Sequence, residues 1–451
     1  MSAIGLGDKG TINIIKPKIP VITAASKPEE ENLNYDERIK KGDYYFDKQF
    51  YTFASNEYVK ASDLEPTNTE PFIKLMKTNF ALLDYPKAQK NAETILQLDP
   101  NNLETKYYLA LVFIKQNDFA KAQDTIDELK TAGYNDVHLT YLEALMDMAF
   151  NKHDDARKLL SQINSDPSSD EKLKNNTQKF LAAYQEYDFA KSAEDLYLQE
   201  LISRAFSQTG EHELAIYSLK NILRTRPDLR DSWILLGYSY LNLNNYLFAL
   251  TSFQHAYELD SEWPTTQYFL GITYSELSKA DDAIEYLNYA LQNGFQPDTA
   301  VKQKLADLYL QAGKYDLAVQ NYEDVLQENK QDITAFVRPI WIYLEFLNQP
   351  EKALKLGELA VMSFPDDPMS YNLLGWSQIG TKNYIEAEKN LKKAIAEDPT
   401  MAAAYYNLGK LYEQMNDVKS AEDNYQKAYE ADQNGSIGNL SAKRYNELLA
   451  K

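Results

Sequence analysis

From about residue 35 onward, apolar residues recur at helical spacing in stretches of about 13 residues, paired by short polar turns such as Asn117 to Phe119 and Gly313 to Tyr315. The paired stretches keep a common register at a period of 34 residues. Ala54, Ala88, Ala122 and Ala156 follow one another at that interval, and Ala215, Ala249, Ala283, Ala318, Ala353, Ala387 and Ala421 continue at 34 or 35. The step from Ala156 to Ala215 is 59, one period plus 25. Eleven units therefore fall into two arrays with an extra segment between them.

Counting that alanine as position 20 of each unit, position 8 is Gly42, Gly237, Gly271, Gly375 and Gly409, position 11 is mostly Tyr or Phe, and position 32 is Pro66, Pro100, Pro227, Pro365 and Pro399. Small residues at 8 and 20 let two helix backbones approach closely, and Leu, Tyr and Phe at 7, 11 and 24 fill the flanking space. Proline at 32 stops the second helix. One helix pair cannot bury its apolar face alone, so the units must stack into a continuous core. The pattern predicts an all-α chain.

These positions resemble the tetratricopeptide repeat over residues 35–170 and 196–435. The resemblance implies a right-handed α-solenoid of about eleven 34-residue helix-turn-helix repeats, the first helix of each lining a concave groove. The expected layout is a disordered N-terminal arm at 1–34, a first array of four repeats at 35–170, an irregular helical spacer at 171–195, a second array of seven repeats at 196–435, and a C-terminal capping helix at 436–451 carrying Ile437, Leu440, Arg444, Tyr445 and Leu448. The arm has Pro17, Pro20 and Pro28 and an acidic run at Glu29 to Glu31, yet Ile12, Ile14, Ile15, Ile19, Val21 and Ile22 are more apolar surface than an inert tail requires. Either it docks, on this chain or on a partner, or it is the remnant of a longer leader. The ninth unit exchanges sizes, with Trp341 at position 8 and Gly357 at position 24, and Pro339 beside Arg338 is expected to kink its helix.

Charge narrows the partners. With 47 Lys and Arg against 67 Asp and Glu, the net charge of −20 argues against nucleic acid or anionic lipid and favours a neutral-to-basic protein client with apolar anchors. The absence of cysteine excludes disulfides, Cys-based zinc sites and thiol nucleophiles. His138, His153, His212 and His255 are scattered without metal-ligand spacing, and no phosphate-binding loop or nucleophile elbow occurs. No stretch remains to house a catalytic domain, so no enzyme, cofactor or metal is expected. Without an apolar run long enough to span or insert in a membrane, the chain reads as cytoplasmic, or extracytoplasmic if a leader or anchor has been removed.

By the family geometry, positions 2, 5, 9, 12 and 13 face the groove. They place Tyr107, Leu111, Tyr141 and Leu145 there in the first array, and Ile234, Tyr238, Tyr268, Ile272, Arg338, Ile342, Trp376 and Tyr406 in the second. No unit has lysine at position 5, which disfavours the carboxylate clamp of some family members. The expected function is a non-catalytic scaffold or adaptor that binds a peptide or helical segment of a client protein. A structural subunit meeting its neighbours through its ends or N-terminal arm is the alternative, and a regulatory subunit of an enzyme complex a third reading. A groove adaptor should be a monomer rather than a homo-oligomer.

Overall fold

The computed structural model describes residues 33–190, 194–328, 331–433 and 435–449. Nearly all of the N-terminal arm lies outside them. Among the described residues every regular element is helical, and most helices are 13 or 14 residues long. The helices up to Leu277 are α1 (Tyr35–Asp47), α2 (Tyr51–Leu64), α3 (Thr69–Ala81), α4 (Tyr85–Leu98), α5 (Leu103–Lys115), α6 (Phe119–Thr131), α7 (Val137–Ala149), α8 (His153–Ser165), α9 (Glu171–Phe189), α10 (Asp195–Gln208), α11 (His212–Thr225), α12 (Arg230–Asn242), α13 (Tyr246–Leu259) and α14 (Pro264–Glu276). From Ser278 they are α15 (Ala280–Gln292), α16 (Asp298–Gln311), α17 (Tyr315–Glu328), α18 (Val337–Glu345), α19 (Pro350–Ser363), α20 (Pro368–Gly380), α21 (Tyr384–Glu397), α22 (Ala402–Gln414), α23 (Val418–Ala431) and α24 (Ser436–Leu449).

The sequence frame maps directly onto this architecture. All eleven position-20 alanines are fully buried, because a larger side chain there would hold the paired helices apart. Where position 8 is glycine, the facing position-24 side chain fills its place. A Cβ added at Gly237 would lie 2.6 Å from the Phe253 ring, and one at Gly409 would lie 2.7 Å from Tyr425. Asparagine and aspartate start many of the helices: Asn102 accepts from the Thr105 amide at 2.9 Å, and Asp118 accepts from that of Lys121.

The turn inside each unit has one fixed requirement. Position 15 adopts positive φ in all eleven units, closing the first helix in the left-handed conformation that satisfies its last carbonyls. Asn117, Asn151, Asn244, Asn348 and Asn416, with Gly210 and Gly313, are the residues that tolerate this geometry. Leu83 adopts it at φ 61° without that tolerance. Leu83→Gly is therefore expected to stabilise the protein by about 0.5–1 kcal/mol, read as a higher urea midpoint. An unchanged or lower midpoint would show that the leucine side chain contributes more than its backbone strain.

Two features depart from the sequence reading. Pro339 does not stand in the interior of a long helix. A short 3-10 segment, Ile333–Phe336, precedes α18, so Pro339 stands in the first turn of a nine-residue helix, where no intrahelical donor is needed. Gly357 does not simply make room for Trp341 either. Its missing side chain lets α20 approach, and an added Cβ would lie 3.0 Å from the Leu374 Cα. Trp341 is buried in a cluster with Phe336, Tyr322 and Trp376.

The chain divides into two compact units between Leu277 and Ser278, within the seventh repeat. The 19-residue α9 packs against both α8 and α10, and α11 reaches back to α5 and α7, so both sides of α9 belong to one body. In the unit from Ser278, α24 buries Ile437, Tyr445 and Leu448 against the last repeat, and Arg444 donates to Glu413 Oε1 at 2.6 Å.

Candidate functional site

The first array is met by the protein's own α11, which contacts α5 and α7. One face of that helix carries Leu214, Ala215, Leu219 and Ile222 into the core of the fifth repeat. Its N-terminal end presents Glu211 and Glu213 to Lys115, which ends α5. The Lys115 Nζ donates to Glu211 Oε2 at 2.7 Å and to Glu213 Oε2 at 3.0 Å, with all three side chains largely removed from solvent. The Tyr85 hydroxyl also donates to Glu213. Helix dipoles favour the arrangement, since the cation is at a C-terminus and Glu213 is in a first turn. Farther along α11, Tyr217 meets the Phe119 ring edge-on at 5.0 Å, and Phe119 in turn meets Phe150 at 5.1 Å.

Burial alone would disfavour the charge on Lys115, but the two carboxylates outweigh it and hold its pKa above the usual lysine value. Tyr85 is also raised, by burial first and then by Glu213. The triad is a closed structural contact, and sequence reasoning missed it. Glu211-His212-Glu213 looks like an ordinary polar turn, and no periodicity encodes a contact across 96 to 128 residues.

Five of the twelve groove residues are not free to meet a client. Tyr141, Leu145, Ile342, Trp376 and Tyr406 are all buried within the stack. Neighbouring first helices touch directly, α5 with α7, α12 with α14, α18 with α20 and α20 with α22, and these five side chains fill the space between packed helices instead of lining an open channel. Tyr406 packs on Tyr425 at 5.6 Å, and Ile342 and Trp376 share the Trp341 cluster. Tyr107 and Leu111 are half-buried, the Tyr107 ring lying 6.2 Å from Tyr134. Arg338 is half-buried on α18.

Ile234, Tyr238, Tyr268 and Ile272 are brought together on α12 and α14. Tyr238 is the most open of the twelve, 36% exposed, and the other three are half-buried. The Tyr238 ring lies 5.6 Å from Phe269, and Phe269 lies 5.3 Å from Tyr268, both edge-on. His212 continues the row at 6.1 Å from Tyr238. Phe269, which the position rule passed over, anchors the row by stacking on the buried Phe253 at 5.3 Å with 5° between the planes. Such a ladder offers rigid, partly apolar faces with hydroxyl edges, a surface suited to protein recognition.

Helix pairs of this length, with alanine and glycine seams and a left-handed turn residue in every unit, define a helical repeat protein. Tetratricopeptide repeat family models match residues 80–146, 231–262, 268–333 and 378–444, about half of the chain. The chain belongs to the tetratricopeptide repeat family. A stretch of 107 residues is 26% identical to a protein O-mannosyl-transferase of Caenorhabditis elegans, covering 24% of this chain and 16% of that protein. Among solved structures, yeast Tom70 is 18% identical at a TM-score of 0.33, with 92% of this chain and 96% of that chain covered. The C-terminal part of a tetratricopeptide repeat protein from Cytophaga hutchinsonii is 12% identical at a TM-score of 0.43, covering 53% and 98%. Among the described residues, no helix is long and apolar enough to cross a membrane.

Proposed function

We propose that this protein is a non-catalytic interaction scaffold that holds a peptide or helical segment of a client on the aromatic ladder of α12 and α14. The observation that carries the reading is the contrast in exposure. Ile234, Tyr238, Tyr268 and Ile272 retain accessible surface in one place, while the corresponding positions around Leu145, Ile342 and Trp376 are filled by packing. Covering one such anchor contributes on the order of 1.5–3 kcal/mol, so a few in register support micromolar affinity. The client carries apolar anchors and neutral-to-basic charge, in keeping with the net charge of −20.

The test is affinity capture from the native organism with the wild type beside Tyr238→Glu/Tyr268→Glu, followed by mass spectrometry. Helical circular dichroism of the variant should match the wild type, because the seam residues Gly237 and Ala249 are untouched. A client recovered by the wild type should fall at least about tenfold with the variant, the equivalent of about 1.4 kcal/mol. Equal recovery by both proteins would refute the ladder as the binding surface.

A further inference from the structure

Between α1 and α3 the first two repeats leave a cavity of about 500 Å³, within the size range of small-ligand sites. Phe46 and Ile73 give it apolar lining, and the buried Tyr58 lines it from α2. Its carboxylates come from two helices. Asp43 and Asp47 stand one turn apart on α1, and Glu70 belongs to the first turn of α3. The Tyr58 hydroxyl donates to Asp43 Oδ1 at 2.7 Å. Burial first, and then Asp43, Asp47 and Glu70, push that hydroxyl above the ordinary tyrosine value, so the negative charge of all three converges on one point.

The two cations that line the cavity are already matched. Lys74 Nζ donates to Asp43 Oδ1 at 2.7 Å and lies 5.8 Å from the centre of the Tyr58 ring, so the cavity admits an ammonium group. Lys77 Nζ donates to Glu104 Oε1 at 2.8 Å and lies over the Tyr108 ring. Lys74 reaches Glu70 only at 4.0 Å, and Glu70 accepts from the Tyr35 hydroxyl at 2.9 Å. Asp47 is exposed and, among the described residues, has no ion-pair partner. Asp47 and Glu70 therefore leave negative charge uncompensated beside the Phe46 ring. A cation on an apolar stem answers each of these features, with carboxylates for its charge, an aromatic ring for its face and Ile73 for its stem. Guanidinium suits them better than ammonium, because it is planar, weakly hydrated and able to donate to more than one carboxylate while stacking on a ring.

We propose that this cavity is a socket for an arginine side chain of a protein partner, distinct from the ladder of α12 and α14. The probe is N-acetyl-arginine methylamide, followed by saturation-transfer difference NMR with the full chain at low salt. Its citrulline counterpart has nearly the same shape without the charge. The arginine probe should give at least about fivefold the signal of the citrulline probe, and Asp47→Asn/Glu70→Gln should lower it to the citrulline level. Asp124→Asn/Asp127→Asn, which removes the same charge from exposed positions of α6, should leave it within about twofold. Asp47→Asn alone keeps the Tyr35 contact of Glu70 and should lower the signal at least about twofold, with unchanged circular dichroism. Equal signals from the two probes would overturn the proposal. Equal losses from the two double variants would do the same, by assigning the binding to the overall negative charge. Free arginine giving at least about fivefold more signal than the derivative would assign the cavity to the free amino acid and overturn the partner reading. None of these variants touches Tyr238 or Tyr268, so the socket and the ladder stand or fall separately.

Discussion

Lys115→Met is expected to destabilise the unit that ends at Leu277 by about 3–5 kcal/mol, because it removes the cation from a buried pair of carboxylates. The loss should appear as a melting temperature lower by on the order of 10 °C. Adding Glu211→Gln and Glu213→Gln to the same variant should recover much of it, since a neutral pocket no longer holds uncompensated charge. A change below about 1 kcal/mol would mean that α11 contributes little through this contact. The triad also sets an alkaline limit. Lys115 and Tyr85 both hold their protons more tightly in the folded protein than in the unfolded chain. Their contribution is complete below the ordinary lysine and tyrosine values and is lost as pH rises past about 10, where the unfolded chain binds fewer protons than the folded one. Urea midpoints should therefore fall between about pH 10 and 12, less steeply for Lys115→Met. A midpoint that rises over that range would contradict the assignment.

Trp376→Ala should cost about 3–5 kcal/mol of stability, the range for truncating a buried aromatic side chain. The side chain lies in the cluster built by Phe336, Trp341 and Leu373, with 4% of its surface exposed. The expected signature is an earlier melt of the unit from Ser278 with no client-specific defect while that unit remains folded. A variant that melts like the wild type but loses a client would restore Trp376 to the groove, where the position rule put it. The contrast with Tyr238 is instructive, since both are aromatics at position 9 of a first helix and only exposure separates them.

The repeat was legible because its determinants are local. Alanine at position 20 and the left-handed turn at position 15 recur in all eleven units and glycine at position 8 in five, because each answers a requirement set within one helix pair. The candidate surface was legible only as a set of positions. Whether Leu145 or Ile234 meets solvent depends on which helices of other units pack over it, and no single unit encodes that packing. Pro339 shows the same limit in miniature. The residue was visible, but its effect depended on where the helix begins, which the 3-10 turn at Ile333–Phe336 decides. Least legible was the contact of α11 with the first array, which joins Tyr85 and Lys115 to Glu211 and Glu213 across most of the unit.

That contact changes how this part of the chain should fold. Repeats that touch only their neighbours can nucleate anywhere and fray from their ends, with stability a sum of local terms. Here the bond between Lys115 and Glu211 closes a loop of 96 residues around α6 to α10. Opening any repeat inside that loop also releases the closure, so the third to fifth repeats are expected to unfold as a single cooperative block. Closure must also await the synthesis of α11, which makes the first four repeats a waiting intermediate and the loop the slow, non-local step.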